Sequence, residues 1–197
     1  IRDSHGTDEG LSLGAVEYLR RKHNLEHFDA SGFPYWQSDE VPQTTANTET
    51  IKQTAELLAQ GKVIGWYQGK GEVGPRALGN RSILMSPVQG AKQRVNEIKQ
   101  REDYRPFGAS ILKGKERKYF TIDNSPYMLY SCTVKDDRLK EITHVDGSCR
   151  PQTVDHSNPV FQELLHEVEK LTGLPLLLNT SLNLSLIHIS EPTRQAS

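Results

Sequence analysis

The sequence predicts an α/β (α+β) fold in which helices flank a twisted mixed β-sheet. Short apolar runs at 62–67 and 174–178 end at glycine or polar residues, as the strands of a buried sheet do. Other segments repeat apolar residues at helical spacing, most clearly 158–172. Hydrophobic residues make up 35% and charged residues 25% of the 197-residue chain, which is typical of a folded globular protein. That length allows one full domain, or one domain and part of another.

Charge and cysteine content exclude several classes of function. Lys and Arg total 24 against 25 for Asp and Glu, so the net charge of -1 argues against a broad nucleic-acid-binding face. Cys132 and Cys149 lie in no C-x-x-C pattern and near no histidine cluster, which disfavours zinc and predicts two buried free thiols. No apolar run reaches the ~18 to 20 residues of a membrane helix, and no signal-peptide pattern opens the chain. We therefore expect a soluble cytoplasmic protein.

The first 47 residues are predicted to precede the main domain. The chain begins with Ile1 rather than Met, and a helical pattern containing Leu11, Ala15 and Leu19 follows almost at once, which suggests a piece of a longer protein. We expect 1–25 to be the terminal helix of one domain. The segment 26–47 contains Gly and Pro without a clear period and is predicted to be a linker.

The main domain is predicted over 48–183. Thr48 is the expected N-cap of its first helix, and Gly61 the residue just beyond that helix. The clearest helix follows Asn158 as N-cap, with Pro159 at the first helical position. We expect strands at 62–67, 82–85, 107–112, 127–134 and 174–178, and further helices at 89–100 and 113–120.

A glycine-rich loop at 69–82 follows the first strand of this domain. It surrounds Lys70 with glycines and adds Gly74, Arg76 and Arg81, so that flexible backbone and positive charge converge. Glycine lets backbone amides approach a ligand closely, and arginine presents a planar fork that matches phosphate or carboxylate. On its own the loop fits either an anion site or a turn with solvated charges.

Two familiar nucleotide-binding loops do not fit this segment. Its G-x-G-x-x-G pattern is followed by Pro75, where a dinucleotide-binding helix would open, and Gln89 occupies the place of the expected acidic residue. A Walker A loop is excluded because Gly71, rather than Ser or Thr, follows Lys70.

Three further segments carry candidate site residues. Lys99, Arg101 and Arg105 form a second basic cluster, which fits either a ligand site or cations that complement the dipole of the preceding helix. In the polar segment 144–153, predicted to be a loop, Arg150 would add a third cation if it folds toward the glycine loop. The polar loop 179–183 follows a strand at its carboxyl end, where open α/β folds commonly bind ligands.

His144 and Asp146 are candidates for a metal site or an acid–base pair. No third histidine or cysteine lies nearby to complete a metal site, and a histidine in a turn or in the core is the favoured interpretation.

Four motifs, in this order, resemble the carboxyl-terminal domain of the NodU/CmcH-type O-carbamoyltransferases. They are G-W-Y-Q-G-K-x-E-x-G-P-R-A-L-G-N-R-S, N-x-I-K-x-R-x-x-x-R-P-F, T-H-V-D-G-x-x-R-x-Q-T-V and L-N-T-S-L-N. The resemblance covers roughly 48–183, and four ordered motifs are more specific than any one alone. The opening D-E-G-L-S-L-G-A resembles the end of the family's amino-terminal, actin-like domain.

The resemblance implies a two-step carbamoyltransferase. The carboxyl-terminal domain is similar to the threonylcarbamoyl-adenylate synthases and would make carbamoyl-adenylate from carbamoyl phosphate and ATP, with Mg²⁺. The amino-terminal domain would then pass the carbamoyl group to a hydroxyl-bearing small-molecule acceptor, using a divalent metal such as Fe²⁺. Asp8 matches one ligand of that metal, and its two histidine partners would lie before Ile1.

The same resemblance implies roles for individual residues. Lys70 and Arg76 match the family's phosphate-contacting basic pair and are the expected catalytic residues. The expected nucleotide- or phosphate-binding residues are Gly74, Arg81, Arg101, Arg105, Arg150, Thr180, Ser181 and Asn183. Such a site works chiefly by positioning and charge neutralisation, and no Ser-His-Asp arrangement is required or evident.

The carboxyl-terminal segment departs from the family pattern, and one alternative to an enzyme stays open. After the last motif the family continues to a G-E-P-I-type turn, whereas residues 184–197 keep only Glu191-Pro192, so this atypical segment is predicted to be a foreign or frame-shifted tail. The alternative to an enzyme is a non-catalytic nucleotide- or RNA-binding module that uses the same basic loop, and the near-zero net charge weighs against it.

Overall fold

A six-stranded mixed β-sheet forms the centre of the fold, in a computed structural model that describes residues 11–29, 31–37, 47–102 and 104–183. The helices are α1 (Leu11–Lys22), α2 (Thr48–Ala59), α3 (Ala91–Ile98), α4 (Glu116–Tyr119) and α5 (Pro159–Thr172), with a 3-10 helix at Asp137–Ile142. The strands are β1 (Tyr35–Gln37), β2 (Ile64–Tyr67), β3 (Gly71–Glu72), β4 (Arg81–Met85), β5 (Gly108–Leu112), β6 (Cys132–Thr133), β7 (Ser148–Val154) and β8 (Leu176–Ser181).

The strand order β2-β4-β8-β5-β7-β6 confirms the predicted mixed sheet. Only β5 and β7 run parallel, and the other neighbouring pairs are antiparallel. The first residue of β5, Gly108, faces Arg150 of β7 on one side and Asn179 of β8 on the other. Two segments that are far apart in sequence therefore meet at one place in the sheet.

The sheet is buried on both faces, because successive strand residues point to opposite sides. In β8, Leu177 packs with the cluster formed by α2 and α5, whereas Leu176 and Leu178 pack with the opposite cluster. The first cluster includes Ile51, Leu58, Phe161, Leu164 and Val168. The second includes Val95, Phe107, Tyr119, Phe120, Leu139 and Ile142. Helices on both faces, as predicted, fix the sheet edge that carries the site.

Several predicted bounds differ from the structure. The strand predicted at 127–134 is wrong for most of its length, because Met128 adopts a left-handed backbone (φ 54°) and pairing is confined to β6 and an isolated bridge between Val134 and Phe120. The loop predicted at 144–153 is a strand from Ser148 onward, since its polar residues hydrogen-bond within the buried sheet. The N-cap of α2 is Asn47 rather than the predicted Thr48, and Asn47 Oδ1 accepts from Thr50 N at 2.7 Å.

The segment before the main domain contacts it through β1. This strand lies within the predicted linker and pairs with β3 of the glycine loop. The preceding helix α1 buries none of its residues. Asp8 and the predicted tail at 184–197 lie outside the described residues. Among the helices of the described part, none is long and apolar enough to cross a membrane.

Candidate active site

A cavity of ≈ 480 Å³ opens where the starts of β5 and β7 meet the end of β8. Its volume falls in the range of small-molecule sites, ~300 to 1,000 Å³. The lining residues are Pro75, Arg76, Ala77, Arg101, Pro106, Phe107, Gly108, Met128, Ser131, His144, Asp146, Ser148, Cys149, Arg150, Asn179, Thr180 and Ser181.

Five of the ten residues predicted for phosphate or nucleotide binding and catalysis line this cavity. They are Arg76, Arg101, Arg150, Thr180 and Ser181. The other five, Lys70, Gly74, Arg81, Arg105 and Asn183, are not among the lining residues. Residues from four separate segments thus converge, and the three arginines bring three positive charges to one space.

The residues outside the lining have other described contacts. Arg81 folds back on its own loop: Nη1 donates to Gln68 O at 2.7 Å, and Cζ lies 3.5 Å from the Tyr67 ring centroid. Arg105 Nε lies 2.9 Å from Glu102 Oε2. Lys70 is exposed, and its carbonyl accepts from Asn80 Nδ2 at 2.7 Å.

The glycine loop is organised by Glu72, whose carboxylate satisfies backbone amides of the loop itself. Oε1 accepts from Leu78 N at 2.6 Å, from Asn80 N at 2.8 Å and, more weakly, from Arg81 N at 3.3 Å. The expectation that loop amides would hold a ligand anion does not apply to these three groups, because an internal carboxylate already occupies them. The loop serves the cavity by presenting the Arg76 side chain.

Side chains from the sheet and α5 hold the carbonyls of the same loop. Leu78 O accepts from Gln152 Nε2 at 2.9 Å, and Gly79 O accepts from Trp66 Nε1 at 2.8 Å. Gly79 has φ +101°, and a Cβ there would lie 2.2 Å from the Phe161 ring. The turn that carries Arg76 therefore depends on glycine and on a closely packed α5.

Arg101 is fixed by a hydrogen bond and a ring contact that leave one guanidinium nitrogen available to a ligand. Nε donates to Asn96 Oδ1 at 2.6 Å, and Cζ lies 4.1 Å from the Phe107 ring centroid. Nη2 is buried and has no hydrogen-bond partner among the described residues. Burial lowers the pKa of Arg101, with the nearby Arg105 acting in the same direction. A bound anion would satisfy Nη2 and offset this cost.

Lys99 is a site-forming residue to which the sequence analysis gave no specific role. It is 4% exposed, and Nζ donates to Ser181 O at 2.7 Å, Asn183 O at 2.6 Å and Asn183 Oδ1 at 2.9 Å. Burial, and secondarily Arg101, lowers the pKa of Lys99 to about 8. Its spacing from Ala91 and Val95 continues the buried stripe of α3, and this periodicity could have shown that it points inward. Lys99 fixes the polar segment at the end of β8.

A buried polar chain runs beneath the cavity. Asn179 Nδ2 donates to Ser110 Oγ at 2.8 Å, and Ser110 Oγ donates to Gln152 Oε1 at 2.7 Å. Asn179 Nδ2 also donates to Ala77 O at 3.2 Å, which fixes the orientation of the amide because a carbonyl only accepts. Asn179 Oδ1 is buried and has no partner in the described ranges. These hydrogen bonds link β5, β7 and β8 to the glycine loop.

His144 lies in a turn, as favoured, and it also lines the cavity. The turn is closed by Gly147 N donating to His144 O at 2.9 Å, and Gly147 has φ +78°. His144 Nδ1 lies 3.3 Å from Asp146 Oδ1. Hydrogen bonds from Ser148, with His144 adding to them, lower the pKa of the Asp146 carboxyl. The turn places an imidazole and a carboxylate beside Arg150.

Cys132 and Cys149 are free and buried, which confirms that prediction. The described residues contain no group of three or more His, Cys, Asp or Glu that could hold a metal ion. The cavity itself presents one carboxylate, Asp146, against three guanidinium groups. Such a site suits a ligand with several negative charges. A single carboxylate offers too few oxygen ligands to hold Mg²⁺ by itself.

The fold and the cavity define a class of protein, namely an α/β domain with a cavity lined by arginines. The family of carbamoyltransferase carboxyl-terminal domains ("Carbamoyltransferase C-terminus") matches residues 55–196, and the chain belongs to this family. This finding confirms the resemblance drawn from the motifs.

Curated relatives agree with this assignment. The chain is 43% identical over 145 residues to "Nodulation protein NolNO" of Sinorhizobium fredii (strain NBRC 101917 / NGR234), covering 68% of this chain and 21% of the relative. It is 41% identical over 186 residues to "3'-hydroxymethylcephem-O-carbamoyltransferase" of Amycolatopsis lactamdurans, covering 89% of this chain and 36% of the relative. It is 37% identical over 187 residues to "Nodulation protein U" of Rhizobium tropici, covering 90% of this chain and 32% of the relative. The chain thus spans about a fifth to a third of the length of these relatives.

Solved structures share the fold at low sequence identity. Sua5 of P. abyssi, solved with L-threonine, aligns with a TM-score of 0.53 and 13% identity, over 72% of this chain and 41% of that one. Full-length HypF, in a phosphate- and nucleotide-bound form, aligns with a TM-score of 0.50 and 18% identity, over 78% of this chain and 19% of that one. These likenesses confirm the α/β architecture.

Proposed function

We propose that this chain forms carbamoyl-adenylate from carbamoyl phosphate and ATP, and that a longer protein transfers the carbamoyl group to a hydroxyl-bearing small molecule. The observation that carries the proposal is the meeting of Arg76, Arg101 and Arg150 in one cavity, with Arg101 Nη2 buried and lacking a partner among the described residues. Family membership supplies the carbamoyl group as the species transferred. The relative named for 3'-hydroxymethylcephem indicates the class of acceptor, a primary alcohol on a small molecule.

The proposed chemistry needs positioning and charge neutralisation more than covalent help. A carbamate oxygen attacks the α-phosphorus of ATP, and pyrophosphate leaves with the bond electrons. Negative charge spreads over phosphoryl oxygens, which guanidinium groups stabilise in a site partly closed to water. Arg76, Arg101 and Arg150 supply those groups from three different segments. Mg²⁺ held by the phosphates of ATP would neutralise part of their charge.

Lys99 and the end of β8 would hold the nucleotide side of the site. Lys99 fixes Ser181 and Asn183 by direct hydrogen bonds, so the Thr180 and Ser181 side chains meet the ligand in one arrangement. Lys70 remains a proposed phosphate contact. Its exposed side chain belongs to the loop that presents Arg76 to the cavity, and its flexible stem suits a phosphate at the cavity mouth. We place the reaction in the cytoplasm, where ATP and carbamoyl phosphate are made.

Pyrophosphate release tests this function. The 197-residue chain, given ATP, carbamoyl phosphate and Mg²⁺, is expected to release pyrophosphate, and Arg76→Ala or Arg101→Ala should lower the rate on the order of 100-fold or more. Lys70→Ala should have a smaller effect, because Lys70 lies outside the cavity lining. Arg117→Ala is the matched control, since Arg117 is exposed and pairs with Asp123 away from the cavity.

The result also separates an enzyme from a binding module. Nucleotide or RNA binding that weakens steeply with salt, without pyrophosphate release from the unsubstituted chain, would support the non-catalytic module and contradict the proposal.

A further inference from the structure

The cavity contains few groups able to accept a proton. Arginine cannot, because its guanidinium is not deprotonated in proteins. Burial raises the pKa of the Cys149 thiol to about 12, so it remains protonated at neutral pH. Among the titratable side chains that line the cavity, this leaves His144 and Asp146. Hydrogen bonds from Ser148 lower the pKa of Asp146, which makes its carboxylate a weak base.

His144 has the arrangement of an oriented base. Its Nδ1 faces the Asp146 carboxylate at 3.3 Å, which favours the tautomer with the proton on Nδ1 and the lone pair on Nε2. No described residue hydrogen-bonds to Nε2. The imidazole is 31% exposed, so a water molecule and a ligand can both reach it.

Charged groups from the neighbouring elements would complete this part of the site. Arg150 lies two residues beyond Ser148 on β7, and side chains at that spacing point to the same face of a strand. Arg76 and Arg101 enter from the glycine loop and from the segment after α3. Lys99 lies nearby, but its Nζ donates to oxygens of Ser181 and Asn183 and does not line the cavity.

The proposed reaction itself requires a water molecule. Carbamoyl phosphate has its carbonyl carbon bonded to a phosphate oxygen, whereas a carbamate that attacks ATP must have a free carboxylate. One oxygen of that carboxylate has to come from water, and a base has to remove the proton of that water. The proposed function does not by itself assign such a base.

We propose that His144 is this base and that Asp146 positions it. The inference rests on the proposed function. The oxygen of water attacks the carbamoyl carbon as Nε2 of His144 takes its proton. The bond from that carbon to the bridging oxygen then breaks, and its electron pair leaves with phosphate. The second proton of the water passes from the new carboxyl group to the departing phosphate, so the products are carbamate, hydrogen phosphate and a protonated imidazole, which returns its proton to solvent. Arg150 is placed to stabilise the departing phosphate.

The test separates the two half-reactions. Phosphate release from carbamoyl phosphate is measured without ATP, with the uncatalysed rate subtracted, and pyrophosphate release from ATP is measured with freshly dissolved ammonium carbamate. His144→Asn is expected to lower phosphate release at least ~100-fold. With carbamate supplied, the same variant should release pyrophosphate at the unsubstituted rate, because the step that needs the base is bypassed.

Two further variants complete the test. Asp146→Asn should lower kcat for phosphate release by ~10-fold with little change in KM, since it acts on the orientation of His144 and not on substrate binding. His156→Asn is the matched control, because His156 is exposed and outside the cavity lining, and its rates should be unchanged.

Each contrary outcome has a distinct meaning. Phosphate release by His144→Asn at the unsubstituted rate would overturn the inference and leave the proposed function intact. A variant that fails even with carbamate supplied would show that His144 serves binding or folding, and would also overturn it. Absence of pyrophosphate release from the unsubstituted chain with either substrate would instead contradict the proposed function.

Discussion

At the scale of single residues, burial of the charged Lys99 lowers the stability of the fold while it orders the candidate site. An ammonium group that is 4% exposed loses hydration, and its described partners, all on Ser181 and Asn183, are neutral oxygens rather than a carboxylate. The pKa of Lys99 is accordingly lowered from 10.5 to about 8. The group holds the end of β8 in place at a cost to folding.

This cost predicts a pH dependence of stability. Between pH about 8 and 10.5 the unfolded chain binds the Lys99 proton more tightly than the folded chain does, so the contribution of Lys99 to the free energy of unfolding rises with pH across that window. Below pH 8 both states hold the proton and the contribution is constant. The stability of the unsubstituted chain minus that of Lys99→Met should therefore rise on the order of 2 kcal/mol over this window.

Urea unfolding of both proteins at pH 7.5, 9.0 and 10.5 measures this difference. Cys149, whose folded pKa is raised to about 12, acts in the opposite direction but equally in both proteins. A difference that stays flat with pH would contradict the account of Lys99. The Met variant should also lose pyrophosphate release by at least ~10-fold, because the Ser181–Asn183 segment loses its anchor.

At the scale of elements, several backbone groups of the glycine loop are held by side chains of the domain itself. Glu72 holds amides of the loop, and Trp66 and Gln152 hold its carbonyls. The resulting turn packs Gly79 directly against Phe161 of α5. Arg76 is therefore presented from a rigid turn, although the sequence alone indicated a flexible one.

A pair of glycine substitutions tests this rigidity. Gly79→Ala combines a left-handed backbone with a Cβ 2.2 Å from the Phe161 ring, so it should cost ~1 to 2 kcal/mol for the backbone and ~1 to 3 more for overpacking. Gly90→Ala has a similar φ of +80° but nothing within 4 Å of the added Cβ, so it should show only the backbone cost. Equal losses of unfolding free energy in the two variants would contradict the packing argument.

At the scale of the whole molecule, the sheet topology assembles the site. Because β5 lies between β7 and β8, Arg150 and Asn179 come to the two sides of Gly108, although they are far apart along the chain. The antiparallel pairing of β4 with β8 brings the glycine loop to the same edge. Five segments that are separate in sequence contribute to one cavity without any of them being a complete site.

Periodicity and composition could predict most of the fold, because the helices and buried strands have clear spacing and caps. They predicted α5 and its Asn158 cap, and they placed Arg76, Arg101 and Ser181 in candidate segments. They could not predict which side of a loop a charge would face. Arg81 turns back on its own loop, and Arg105 lies beside Glu102. Both orientations are set by the local backbone conformation and by local contacts. The same limit hid the cavity-facing position of His144, which depends on β7 pairing with β5.

Isotope exchange between labelled pyrophosphate and ATP tests the central claim most directly, because exchange reports reversible formation of an adenylate. The account predicts that the 197-residue chain incorporates label into ATP only when carbamoyl phosphate or carbamate is present, and that Arg101→Ala abolishes this incorporation whereas Arg117→Ala does not. Exchange that is absent under all conditions, or that proceeds equally without any carbamoyl donor, would contradict the account.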